Sequence, residues 1–184
     1  FIIGCLFTTS CSADKTQNKF QETKLHGNRD NKQDKDQKQE DGFIVGTIGE
    51  DSVLTVHFLS VGKADCILIK IDNHAVLIDS GTIENADFII KYLKSQNVTS
   101  IDYAVATHCD KDHVGGMSSI LQEFQTNTLL MSERGKKTTV YKAMIATAVE
   151  KQVTRIIPKV KTTFYVGNAK FMVLGPGEAA IAAD

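Results

Sequence analysis

Four side chains able to hold a divalent cation crowd into one short stretch: His108, Asp110, Asp112 and His113. Imidazole nitrogens and carboxylate oxygens are the usual donors to zinc, manganese and magnesium. At these offsets a tight loop can aim one pair of donors at one ion and the second pair at another. Two ions about 3.5–4 Å apart are the device of two-metal hydrolases, in which they lower the pKa of a shared water and stabilise developing charge. Asp112 is the best placed to hold an ion and also to take or position the proton of that water. Gly115 and Gly116 follow at once, letting the backbone turn sharply and approach the site closely.

Such a loop needs a rigid support. Tyr103 to Ala106 carries no charge and reads as a buried strand, so residues after Thr107 emerge at its C-terminal edge, where open α/β sheets place their sites. Upstream, Val53 to Leu59, Cys66 to Ile71 and Ala75 to Ile78 read as a β-meander, with Asp72-Asn73 as the second turn. Asn85 can cap a helix from Ala86 to Gln96, whose Phe88, Ile89, Tyr92 and Leu93 form an apolar stripe. Downstream, a helix starting near Met117 or Ser118 precedes a strand at Thr128 to Met131. A second helix runs through Val140, Tyr141, Met144, Ile145 and Ala148. Arg155 to Ile157, Phe164 to Val166 and Lys170 to Leu174 read as further strands, the last after a Gly167-Asn168 turn. Strand and helix alternate after Ile78, which indicates an α/β fold. His57, mid-strand, reads as a hydrogen-bonded core residue and His74 as an exposed one. Cys66 reads as core packing, and Cys109 should point away from its ligand neighbours.

The loop resembles the H-x-[HD]-x-D-H-x-G-G signature of the metallo-β-lactamase superfamily, with Asp110 at the variable position. The stretch from Val56 to Ile69 is similar to the VHFLDVGQGDSILI of the ComEC C-terminal domain and its stand-alone relatives, and Leu77-Ile78-Asp79-Ser80-Gly81 is similar to their LIDTG. The resemblance, over about residues 53 to 176, implies an αββα sandwich of which this chain holds the first half. It implies two divalent metal ions, zinc first with manganese or magnesium as alternatives, held by His108, Asp110, Asp112 and His113. Asp79 would brace the metal loop from outside the ligand set. The chemistry implied is attack of a metal-activated hydroxide. Asp110 in place of the commoner histidine makes the site harder and more anionic, so a phosphodiester or nucleic acid is expected before a lactam. Departures at Ser60, Lys63 and Ala64 from DVGQGD, and the absence of any histidine after His113, favour instead a non-catalytic or truncated binding module linked to DNA uptake.

The 184 residues, 42% hydrophobic, suit one core, and a net charge of −1 gives no global attraction to nucleic acid. With no tryptophan and 7% aromatics, a base-stacking stripe is not evident. Residues 1–11 read as the end of a signal peptide with a lipobox. Cys5 has the better residues before it, and Cys11, the preferred lipidation site, has the better residues after it. Residues 12–42 carry seven Lys or Arg against seven Asp or Glu and almost nothing apolar, which reads as a disordered tether including a solvated His26. As a flexible coil it would span roughly 30 Å. Residues 43–184 would form the metallo-β-lactamase-like domain, incomplete at its C-terminus. The protein is thus expected at a bacterial cell surface, lipid-anchored or secreted. Half a sandwich would leave an apolar face and a sheet edge open to dimerisation.

Overall fold

A computed structural model describes residues 2–6, 42–48, 52–132, 135 and 137–175. Ten strands and four α-helices are described: β1 (Ile2–Leu6), β2 (Gly42–Ile48), β3 (Ser52–Phe58), β4 (Ile67–Ile71), β5 (His74–Ile78), α1 (Ala86–Ser95), β6 (Ser100–Ala106), α2 (Lys111–Val114), α3 (Met117–Glu123), β7 (Gln125–Met131), α4 (Thr139–Glu150), β8 (Thr154–Ile156), β9 (Thr163–Val166) and β10 (Ala169–Gly175). The expected tether, apart from Gly42 in β2, and Cys11 lie outside the described residues.

Seven strands form the main sheet in sequence order, β2 to β8. The first four pair antiparallel, as the alternating pattern of β3 and the Asp72-Asn73 turn require. From β5 onward the pairing is parallel, because helices return the chain to the same end each time. The switch falls between β5 and β6, so the turn after β5 and the loop after β6 leave the sheet side by side. That placement sets Asp79 against the metal-ligand loop.

One face of the sheet is covered by helices. Leu68, Leu77, Ile101, Ala104 and Leu129 pack against Ile89 and Leu93 of α1, Met117, Ile120 and Leu121 of α3, and Met144 and Ala148 of α4. The α1 stripe is narrower than its sequence pattern: Ile89 and Leu93 are buried, whereas Phe88 is 40% exposed. Asn85 precedes α1, yet its side chain does not cap it. Its Oδ1 instead accepts from the backbone N and Oγ1 of Thr82, both at 2.9 Å, closing the single 3-10 turn at Ile83–Asn85 that leads into the helix.

The opposite face corrects the expectation of an uncovered apolar surface. β9 and β10 form a hairpin in a second sheet, with β1 paired antiparallel to the far side of β10. Phe164, Val166, Ala169, Phe171 and Val173 of the hairpin pack onto Leu54, Ile69, Ile71, Val76, Val105 and Leu130 of the main sheet. Phe171 stacks on Phe164 at 5.1 Å between centroids, and Tyr103 meets Phe164 at 4.4 Å. Strands β4 to β7 of the main sheet are therefore covered on both faces, whereas β8, at its edge, is exposed along its whole length.

Candidate metal centre

Three loops meet at the C-terminal edge of β5 and β6, and backbone hydrogen bonds stitch them together. In the loop between β3 and β4, Asp65 donates from its N–H to the Asp112 carbonyl at 3.2 Å, and the Asp65 carbonyl accepts from the N–H of Gly81 at 2.9 Å. In the turn after β5, Ser80 donates from both its N–H and its hydroxyl to the His113 carbonyl, at 2.7 and 3.0 Å. The N–H of Gly115 returns to the Gly81 carbonyl at 3.0 Å. The paired glycines are needed for this closeness. A Cβ on Gly115 would lie 2.6 Å from the Ile83 nitrogen, and one on Gly116 would lie 2.5 Å from the Ser80 carbonyl oxygen.

Asp79 sits at the centre in the left-handed region, φ +57°, which aspartate tolerates better than most residues. Its side chain is 4% exposed. Oδ1 accepts from the Thr107 N–H at 2.9 Å, while Oδ2 lies 2.5 Å from Thr107 Oγ1 and 2.8 Å from His113 Nδ1. Asp65 Oδ2 is 3.6 Å from the same His113 nitrogen, on a side chain 67% exposed. Burial favours the neutral His113 ring, but the hydrogen bond to Asp79 and the charges of Asp79, Asp112 and Asp65 outweigh it and raise its pKa. The His108 ring lies beside that of His113, 5.0 Å between centroids.

Asp65, Asp79 and His113 thus bring three potential metal-ligand atoms within 4.8 Å of one another. Within this group the roles differ. Both oxygens of Asp79 are already engaged and buried, which suits it to orienting the imidazole. With Nδ1 of His113 donating to Asp79, Nε2 is the nitrogen left for a cation, the arrangement by which carboxylates commonly fix metal-binding histidines. The exposed carboxylate of Asp65 offers an oxygen donor on the same side.

Of the four residues singled out by spacing, the structure sets His108 next to His113. Asp110 and Asp112, with His108, fall outside the three-residue group. The stretch read as a tight loop closes into the single helical turn α2, with Asp110 preceding it and its carbonyl accepting from the N–H groups of His113 and Val114. Asp110 and Asp112 flank Lys111 on an open depression completed by Thr138, Thr139 and Val140 at the start of α4. Cys109 is buried. His57 is buried and bonded, Nδ1 to Tyr92 Oη at 3.0 Å and Nε2 to Thr55 Oγ1 at 2.8 Å. His74 is exposed and meets Asp102 at 3.2 Å. Cys5 lies in β1.

Residues 59–176 match the model of the metallo-beta-lactamase superfamily. The chain belongs to that superfamily. A candidate metal-ligand group stands at the strand ends of that fold. Among solved structures, the chain is similar to a metallo-beta-lactamase from Pontibacter korlensis at 20% identity, over 70% of this chain and 58% of that one, with a TM-score of 0.37. It is also similar to Rm3 metallo-beta-lactamase at 17% identity, over 61% and 45%, TM-score 0.47. A third is a Cronobacter sakazakii metallo-beta-lactamase at 14% identity, over 61% and 46%, TM-score 0.46. The chain spans between 45% and 58% of the lengths of these three. No curated relative matches the chain.

Two residues of the centre escape a reading by spacing. Asp65 stands 48 positions before His113, and its one signal is that it matches the final acid of the DVGQGD motif. Thr107 closes the apolar strand and carries no ligand chemistry of its own.

Proposed function

We propose that the protein is a metal-dependent phosphodiesterase of the ComEC-like branch, held at a bacterial surface by a lipid on Cys11 or Cys5 and a polar tether. The observation that carries this reading is the Asp79-braced His113 beside His108, on a loop whose second donor position is Asp110 in place of histidine. His108, Asp110, Asp112 and His113 would hold the ions, with Asp65 as a further oxygen donor. A bound divalent cation supplies Lewis acidity toward a phosphoryl oxygen and lowers the pKa of water. Asp79 holds the His113 ring in one orientation. Asp112, half-buried next to that ring, accepts the proton of the attacking water on a carboxylate oxygen. The anionic donor set favours hard phosphoryl oxygens over a lactam carbonyl. Zinc is the first candidate ion, with manganese and magnesium behind it.

The test is hydrolysis of bis(p-nitrophenyl) phosphate and of single-stranded DNA by the purified chain supplied in turn with zinc and manganese. His113→Ala should lower the rate at least 100-fold, and equal rates in the two proteins would sink the proposal. The departures at Ser60, Lys63 and Ala64 favour a second reading, a tethered module that binds without cleaving. Retention of DNA by metal-free protein, with no hydrolysis under any metal, would decide for it.

A further inference from the structure

We propose that Thr107 is a positioning residue that fixes the tautomer of His108 and, together with Asp79, ties both histidines to one anchor. This rests on the reading that His108 and His113 hold a metal. Thr107 Oγ1 lies 2.5 Å from Asp79 Oδ2 and 3.4 Å from the Nδ1 atoms of both His108 and His113. A hydroxyl has one proton and two lone pairs. A carboxylate can only accept, so at the shortest of the three contacts the hydroxyl proton goes to Asp79. The oxygen is left as an acceptor toward the rings, which favours the protonated form of a ring nitrogen facing it. That places the His108 proton on Nδ1 and leaves Nε2 as the lone pair for a cation. His113 reaches the same state directly, its Nδ1–H donating to Asp79 at 2.8 Å.

One buried carboxylate thereby sets both imidazoles, His113 by contact and His108 through the threonine hydroxyl. The Thr107 N–H also binds Asp79 Oδ1 at 2.9 Å, so the hydroxyl is held in register with the carboxylate it serves. The position is not a generic strand end. It is the first residue past β6, where a side chain can reach the β5 turn and the metal loop together.

The test compares the full chain with Thr107→Val, which keeps the shape and loses the hydroxyl, and Thr107→Ser, which keeps the hydroxyl. Nitrogen-15 NMR of the histidine rings in metal-free protein should show His108 as the Nδ1–H tautomer in wild type and Thr107→Ser. In Thr107→Val it should become a mixture or the Nε2–H form. Zinc affinity, measured by competition with a chromophoric chelator, should fall 10- to 100-fold in Thr107→Val and stay within threefold in Thr107→Ser. An Nε2–H tautomer in wild type overturns the proposal even if Thr107→Val fails to fold, as does an unchanged tautomer in a folded Thr107→Val. A tautomer change in a chain whose wild type binds no zinc or manganese upholds the Thr107 assignment and counts against the hydrolase.

Discussion

Gly116 shows how little space separates the three loops of the centre. A methyl there would lie 2.5 Å from the Ser80 carbonyl, and that peptide is fixed because the Ser80 N–H and hydroxyl both bind His113. Gly116→Ala should therefore destabilise the fold by about 1–3 kcal/mol, the usual range for overpacking. Because the strain pushes on the Asp79 turn, it should also weaken zinc binding; a Gly116→Ala protein with wild-type denaturation midpoint and zinc affinity would refute this account. At this scale the sequence was informative where chemistry is local. The crowding of His108, Asp110, Asp112 and His113 marked the loop, and Asp79 was identified through the LIDTG resemblance. Asp65 and Thr107 were not, because their roles depend on the main sheet bringing residues 65, 79 and 107 together, and no spacing along the chain records that meeting.

Among the elements, strands were more legible than their partners. The meander, the helices and the parallel strand beneath the metal loop follow from apolar periodicity and turn residues, because those patterns reflect contact with one continuous core. The Phe88 exposure and the diversion of Asn85 to Thr82 do not, since both depend on how α1 leaves the sheet. The cover on the second face was also missed. Phe164 to Val173 reads as two ordinary strands, and nothing in it says which surface they will fold over. Phe171 makes that cover testable. It is fully buried, stacked on its cross-strand neighbour Phe164 in the core under the main sheet, so Phe171→Ala should cost about 3–5 kcal/mol in a urea titration. A loss below about 1 kcal/mol would mean that the hairpin does not pack there.

For the molecule as a whole, metal and stability should be linked. A cation that binds only the folded chain adds about 2.7 kcal/mol when free metal stands at 100 times its Kd. Zinc should raise the melting temperature, a chelator should reverse the rise, and His113→Ala should abolish it. No response to zinc in wild type would be a clear negative. The exposed β8 edge offers the route for the dimer expected from sequence. Light scattering checks it: a monomer at all concentrations would reject it, as would a dimer that survives a proline at Arg155.

The hydrogen bond between Asp79 and His113 joins positions 34 apart, across two parallel strands and an intervening helix. The cation's seat therefore requires β5 and β6 to be paired, so it should form late in folding. Zinc should then act as a lock rather than a seed: stopped-flow traces should show slower unfolding with zinc present and a refolding rate that hardly changes.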